Sequence, residues 1–557
     1  MKTSSRPCTR WITSVSIRSS ILFLSAALLV ACRPDAIVEE AARLRSVTVT
    51  ETALVLPEGG QALLHFRVQD PDYPLDLRVG DSRGQVSVSL FDGNAPQFVR
   101  LTEVRPDAVP GAYVAVLQDR GENNFLEDIY LRVRSAEGEV VTAPRVSVQG
   151  SAYREKEKLL VDTGLPVVII DTQGGKAVAS KDTYVPGTVR IQGVGDWEGL
   201  AETGCEIRGR GNTTWYWPKK PYLLKLNEKQ HIFGMHKHKR WVLLANFMDR
   251  TLMRNLVSMK VASMTRLAWT PGCVPVELVL NGRHMGSYLL IEQVRVDNHR
   301  VAVTEMTPED NAGDAVTGGY LLELDFHYDN PVQWIDPNGH NQQWGNGIPF
   351  GVKYPDSEEI TLQQLAYIKN YVAEAANTLY GKDFLNPETG YAKYIDVDSF
   401  IDYWIVFEVM GNHELGNPGS VFMHKDRGGK LVAGPCWDFD WGVLSYNTSP
   451  QARTGLVNRK AIWYERLMQD PAFKSRLKSR FEELLPQLET IPDYMDECEK
   501  LLTASAALNF RMWNPAEDAS QNGGHIINGD ENMTFHDAVA RLKSIYKERL
   551  RVIPANL

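Results

Sequence analysis

The chain has 557 residues, 43% hydrophobic and 23% charged, with a formal charge of −9. That is too long for one ordinary domain, and the composition is neither disordered nor fibrous. The net acidity argues against a nucleic-acid partner, whose phosphates it would repel, so none is expected.

Residues 1–31 carry Lys2, Arg6, Arg10 and Arg18, no acid, and the apolar run ILFLSAALLVA just before Cys32. A basic start, a short apolar centre and small residues before a cut describe an export signal. The run is too short for a good membrane span. The stretch LVAC at 29–32 resembles a bacterial lipoprotein signal. That resemblance implies cleavage before Cys32 and a lipid on that cysteine. The expected address is the bacterial cell envelope, lipid-anchored, on its periplasmic or outer side. Cys205, Cys273, Cys436 and Cys498 are far apart and lack paired spacings, against a zinc knuckle. They leave one or two disulfides open in an oxidising compartment.

Residues 32–43 read as a tether. From 44 to 148, short alternating runs such as QALLHFRV, GQVSVSLF and DIYLRVRS are divided by Gly, Pro, Asp and Asn turns. They predict a small immunoglobulin-like β-sandwich. The charged stretch at 149–164 reads as a linker. From 165 to 450 strands and helices mix, and the fold class is α+β. The spacing predicts helices over 254–266, 362–380 and 396–412, the last capped near Asp396 or Asp398. Asn281-Gly282 predicts a hairpin between two strands of 274–294. A further hairpin, strand–Gly-Gly–strand, is expected to end in GPCWDFDWG at 434–442. Residues 451–557 read as a helical extension packed on that core.

Four segments carry candidate chemistry. In CEIRGRGNTTWYWPKKPYLLKL (205–226), Arg208, Arg210 and Asn212 combine cations with glycines that let N–H groups approach an anion. A surface turn explains the same residues equally well. Lys225, flanked by leucines, is placed to reach a cleft and hold a phosphate, whereas Lys219 and Lys220 are expected to be solvated. In KRWVLLANFMDRTLMRN (239–255), Asp249 either caps a helix or acts in a site. Arg254 either binds an anion or braces an acid. In LLIEQVRVD (289–297), Glu292 interrupts apolar residues and needs a cation, for which Lys225 is the natural candidate. Glu323 and Asp325 in GGYLLELD either ligate a metal or face solvent.

The fourth segment joins GNHELGNPG (411–419) to GPCWDFDWG. Asp438 and Asp440 lie two residues apart, on one face of a regular strand, among Trp and Phe. Charges in such surroundings are either paired or hold something. A loop carboxylate, a nearby amide and acids at a strand end recur in phosphoryl transfer with magnesium. No Walker loop or H-E-x-x-H occurs. Histidines at 231, 236 and 238 read as a charged surface hairpin.

The stretches RGRGNTTWYWPKKPYLLKL, KRWVLLANFMDRTLMRN, VELVLNGRHMGSYLLIEQV, GGYLLELD and GPCWDFDWG, in that order, resemble the CotH family of atypical secreted protein kinases. The resemblance covers roughly 165–450. It implies a kinase-like α+β domain that transfers the γ-phosphoryl of ATP, with Mg2+ or Mn2+, to a Ser/Thr or other hydroxyl. It implies Lys225 as the nucleotide-phosphate lysine and Glu292 as its acidic partner. Arg208, Arg210 and Asn212 complete the nucleotide contacts. Asp438, Asp440 and Asn417 would be the metal ligands, Asp438 first. Glu414 stands where family members commonly carry Asp, so it is either the catalytic base or the mark of a pseudokinase. The alternative function is a non-catalytic surface lipoprotein for assembly or for binding envelope glycan. A metal-dependent hydrolase is a third reading.

Overall fold

The computed structural model describes residues 46–153, 162–516 and 527–557, apart from short stretches at 70–73, 81–84, 92–95, 97, 121–124, 137 and 342–344. The expected export signal, Cys32 and tether lie outside the described residues, as does 154–161 of the expected linker. The structure is mixed α+β. Among the described residues no helix is long and apolar enough to cross a membrane.

The N-terminal region is all strand: β1 (Val47–Val49), β2 (Ala53–Leu56), β3 (Gln61–Val68), β4 (Arg78–Val79), β5 (Ser87–Phe91), β6 (Val99–Pro106), β7 (Ala112–Asp119), β8 (Leu126–Arg134), β9 (Val140–Thr142) and β10 (Val146–Gly150). They form one sheet in the order β1-β3-β7-β6 and another in the order β2-β10-β8-β5-β4, with β9 on β8. Alternation does the sorting. Ile129, Leu131 and Val133 of β8 point into the core while Tyr130, Arg132 and Arg134 stay partly exposed.

Next comes a closed barrel of β11 (Val167–Thr172), β12 (Val185–Gln192), β13 (Leu200–Gly209), β14 (Tyr222–Ile232), β15 (Met235–Leu244), β16 (Cys273–Leu280) and β17 (Arg283–Glu292). It closes in the order β11-β12-β13-β14-β15-β17-β16. The expected hairpin joins β16 to β17, with Asn281 and Gly282 both at positive φ, 53° and 78°, as a tight two-residue turn demands. Leu224, Leu226, Ile207, Trp241 and Leu243 fill the barrel in one apolar cluster with the N-terminal sheets. Leu223, Val242 and Leu244 belong instead to the cluster that includes α2 (Arg254–Ser263).

The second half is a five-stranded sheet, β19-β20-β18-β21-β22, covered by helices. Its strands are β18 (Tyr320–Leu324), β19 (Gln333–Asn341), β20 (Gly345–Tyr354), β21 (Val421–Lys425) and β22 (Leu431–Ala433). A one-turn α1 (Thr213–Tyr216) follows β13. α3 (Leu362–Tyr380) begins at a capping box between Thr361 and Gln364. α4 (Val397–Val409) is capped by Asp396, whose side chain accepts from Ser399 N. α5 (Tyr464–Leu467), α6 (Pro471–Leu488), α7 (Ile491–Met512) and α8 (Phe535–Asn556) follow. A buried Glu408–Arg549 pair ties α8 to the end of α4, and Glu408 also accepts from Val457 N at 2.7 Å and Asn458 N at 2.8 Å.

Two expectations change here. Lys219 and Lys220 are buried, not solvated. Lys219 Nζ donates to Asn509 Oδ1 of α7 at 2.8 Å and to the carbonyl of Ser287. Lys220 Nζ donates to the carbonyl of Trp215 at 3.1 Å. A lysine can be buried when its donors are met, and α7 supplies one acceptor from far along the chain. Cys205, Cys273, Cys436 and Cys498 are all free thiols.

Candidate functional site

A cleft of about 540 Å³ opens between the barrel and the five-stranded sheet. One wall comes from the end of β13 and the turn after it: Arg208, Arg210, Asn212, Thr213 and Thr214. Gly211 has φ +87°, and a Cβ there would lie 2.1 Å from Thr214 Oγ1, so this turn requires glycine. Arg208 donates to the carbonyl of Lys181 and lies 5.1 Å from the Tyr184 ring.

The opposite wall comes from β18 and β20. Register places Gly351 opposite Glu323, and the ladder skips Lys353, between the Leu322–Val352 and Leu321–Tyr354 pairs, at an irregularity that lets its side chain turn to Glu323. Lys353 Nζ reaches Glu323 Oε2 at 3.0 Å. Glu323, with Asp325 and Asp329, raises the proton affinity of Lys353 and keeps it charged. Asp325 Oδ1 is held by the backbone N and the Nδ1 of His327, both at 2.8 Å.

The floor holds the acids. After α4 the chain turns through Asn412, which is buried and whose Oδ1 accepts from Glu414 N at 2.8 Å. That turn aims Glu414 and Asn417 at the cleft. Asp438 and Asp440 face them, but not from a strand. β22 ends at Ala433 and Asp438 has φ +62°, so 434–440 is irregular chain without a ladder. The apolar neighbours hold it instead. Phe439 is buried against Phe407, ring centroids 4.7 Å apart, and its N–H donates to Asn255 Oδ1 at 2.8 Å. Trp437 is buried with the Arg210 guanidinium 5.7 Å from its ring.

Burial raises the proton affinity of all three acids. For Asp438 the field of Arg210 and a hydrogen bond from Ser420 oppose the rise. For Asp440 the Asp438 charge adds to it. Glu414 is pushed well above the usual carboxylate range by burial, then by Asp438, Asp440 and Asp325. Arg210 feels Asp438, Asp440 and Glu323 together, yet burial still lowers its own proton affinity. One guanidinium therefore faces three acids that repel one another.

The donor set suits a hard cation. Asn417 Oδ1 is buried with no hydrogen-bond partner, beside the carboxylates. Two carboxylates and an amide oxygen leave room for water and phosphate oxygens, as magnesium prefers. Among the described residues, no three His, Cys, Asp or Glu side chains gather closely enough to hold an ion unaided.

Of the residues expected from sequence, Arg208, Arg210, Asn212, Glu414, Asn417, Asp438 and Asp440 meet in this cleft. Lys225 and Glu292 do not line it, and they do not pair. Lys225 sits opposite Glu206 in the β13–β14 register and bonds it at 2.7 Å, with both side chains over a third exposed. Glu292 is buried, accepts from Gly272 N at 2.9 Å and lies 3.5 Å from Arg300 Nε. Asp249 and Arg254 are scaffold. Asp249 Oδ2 accepts from Arg254 N at 2.8 Å at the start of α2, and the Arg254 guanidinium pairs with Asp249 and Asp530. Sequence reasoning missed Lys353, although FGVKY places it among apolar strand residues just as YLLKL places Lys225.

No curated protein matches the chain. Solved structures align weakly. Domains 4 and 5 of the S-layer protein SbsC share 14% identity over 20% of this chain and 54% of theirs, with a TM-score of 0.13. The ZirS C-terminal domain shares 14% over 26% of this chain and 97% of its own, with a TM-score of 0.14. A marsupial T cell receptor shares 12% over 33% and 92%, with a TM-score of 0.13. The profile of the family described as CotH kinase protein matches residues 207–553, through the cleft and the C-terminal helices, and the chain belongs to that family.

Proposed function

We propose that the chain transfers the γ-phosphoryl of ATP to a hydroxyl, Ser or Thr of a protein among the candidates, with Mg2+ or Mn2+. The observation that carries this reading is the acidic floor: Asp438 and Asp440 face Arg210, with Glu414 repelled by both, next to an orphaned Asn417 Oδ1. Asp438, Asp440 and Asn417 would hold the cation, which would neutralise charge that develops on the transferred group. Arg208, Arg210 and Lys353 bring positive charge to the phosphates, Lys353 in place of Lys225. Glu414 is positioned by Asn412 to accept the acceptor's proton once a cation has lowered its proton affinity. We further place the protein at the envelope, lipid-anchored through Cys32, with an immunoglobulin-like sandwich as spacer below a kinase-like domain.

The high proton affinity of Glu414 favours a second reading, a pseudokinase that assembles envelope components or binds glycan without transfer, because a protonated carboxyl is no base. Calorimetric titration of residues 44–557 with ATP, with and without magnesium, tests the first reading. Magnesium-dependent binding lost in Asp438→Ala or Asp440→Ala supports it; no binding by folded protein with either metal overturns it. Binding without transfer to any hydroxyl acceptor, together with turnover restored by Glu414→Asp, selects the pseudokinase.

A further inference from the structure

The segment that carries Asp438 and Asp440 has no strand or helix of its own, so something else must fix its backbone. The hydrogen bonds identify it. Phe439 N–H is held by Asn255 Oδ1 at 2.8 Å, and the carbonyl of Val443 accepts from Arg254 Nε at 2.8 Å. Between those points Thr448 Oγ1 donates to the carbonyl of Gly442 at 3.1 Å, and the remaining hold comes from a side chain at the far end of the sequence. Asn528 Oδ1 accepts from Gly442 N at 2.9 Å, and Asn528 Nδ2 donates to the carbonyl of Asp440 at 3.2 Å. The same Nδ2 donates to the carbonyl of Met248 at 3.0 Å. Asn528 is fully buried. Its amide thus spans both sides of Trp441 and ties them to the turn before α2.

Asn528 is itself tightly set. Glu531 Oε1 accepts from Ile527 N at 2.8 Å and from Asn528 N at 2.6 Å. The carbonyl of Asn528 accepts from Ser445 Oγ at 2.9 Å and from Arg541 Nη1 at 2.8 Å. Asp530 pairs with Arg254, which also holds Val443. The stretch INGDE at 527–531 precedes α8. In the fold it is a clamp on the acidic turn.

We propose that Asn528 is a positioning residue that sets the carboxylate of Asp440 for the cation, an inference that rests on the cation-and-phosphate reading of the cleft. An amide is the group the place needs. It offers an acceptor to one backbone N–H and donors to two carbonyls, and it adds no charge beside acids that already repel. A small displacement of such a ligand is costly, since geometry at a reacting centre matters on the scale of 1 Å.

The test uses the full chain. ATP binding is titrated at a series of Mg2+ concentrations and the Mg2+ midpoint is read, with the melting temperature taken separately without metal. Asn528→Ala is expected to move the midpoint about tenfold upward and to regain near wild-type ATP affinity at saturating Mg2+. The control is Asn509→Ala, a buried amide that ties α7 to the barrel through Lys219 and Ser287. It is expected to lower the melting temperature and leave the midpoint in place. If Asn528→Ala does not fold, Ser445→Ala carries the test, because it loosens the clamp without touching the backbone of Asp440; a shift of about threefold in the same direction is expected. A folded Asn528→Ala or Ser445→Ala with the wild-type midpoint, or an equal shift in Asn509→Ala, overturns the assignment alone. A wild-type chain without Mg2+-dependent ATP binding overturns the cleft reading and this assignment with it.

Discussion

Two groups of acids lie close together along the chain's fold, and their charges are met in different ways. Asp249 and Asp530 are fully buried and share Arg254, which pairs with both. The ion pairs hold that guanidinium charged against the cost of burial. Asp438, Asp440 and Glu414 are half-buried; the first two share the longer-range field of Arg210, which burial still pushes down, and Glu414 feels their repulsion. The first group is closed: its cation is part of the chain. The second is open: Arg210 answers Asp438 and Asp440 only through its field, and acids that the chain leaves without an ion pair near a cleft invite a cation from outside. The contrast separates scaffold from site where acidity alone does not.

The largest expected effect tests the closed group. Arg254→Met leaves two buried carboxylates without a cation and a free carbonyl at Val443. We expect a loss of about 3–5 kcal/mol in urea unfolding, or failure to fold. Arg210→Met should cost far less stability, since the half-buried acids it faces can bind protons instead. Equal losses would break the comparison.

Asp440→Asn removes one of three repelling acids. Magnesium-dependent ATP binding should fall at least about a hundredfold, while metal-free thermal stability holds or rises by roughly 1 kcal/mol. A scaffold role predicts the opposite, a fall in stability with binding retained.

The pH profile sharpens this further. Asp438, Asp440 and Glu414 bind protons more tightly in the folded state than when exposed. An acid with a raised folded-state pKa gives the native state extra protons above the ordinary carboxylate range. Metal-free stability from these groups must therefore fall as pH rises from about 4 through neutrality, by up to about 1.4 kcal/mol per pH unit per proton released. Saturating magnesium should flatten that slope. Melting curves across pH, with and without the metal, would show it; a slope unchanged by magnesium would mean that the cation does not meet these acids.

What could be read from the sequence was local. Helix 362–380 carries its period and its Thr-x-x-Gln start, and the Asn-Gly hairpin announces its own turn. Asp438 and Asp440 were visible because charges among Trp and Phe need a reason. What could not be read depends on which distant element covers which face. Lys219 looks solvated until α7 brings Asn509 over it. Asn528 looks like a loop residue until its turn docks against Asp440 and Gly442. The immediate neighbours of Asp438 suggested a regular strand, but the ladder ends at Ala433 and the positive φ of Asp438 breaks the alternation after it.

The smallest expected effect concerns the two strand lysines. Lys225 in YLLKL and Lys353 in FGVKY present the same local pattern, an amine among apolar strand residues. Strand order decides between them. The neighbour of Lys225 across β13 is Glu206, and their contact is over a third exposed, so Lys225→Ala should cost no more than about 0.5 kcal/mol. It should leave ATP affinity unchanged. Lys353 has Glu323 beside it on the cleft wall, and Lys353→Ala should weaken ATP binding about tenfold at fixed magnesium. Titrating both variants with ATP measures the difference directly. Weakened binding in Lys225→Ala, with none in Lys353→Ala, would mean that the phosphates lie toward the barrel's outer face rather than against the sheet.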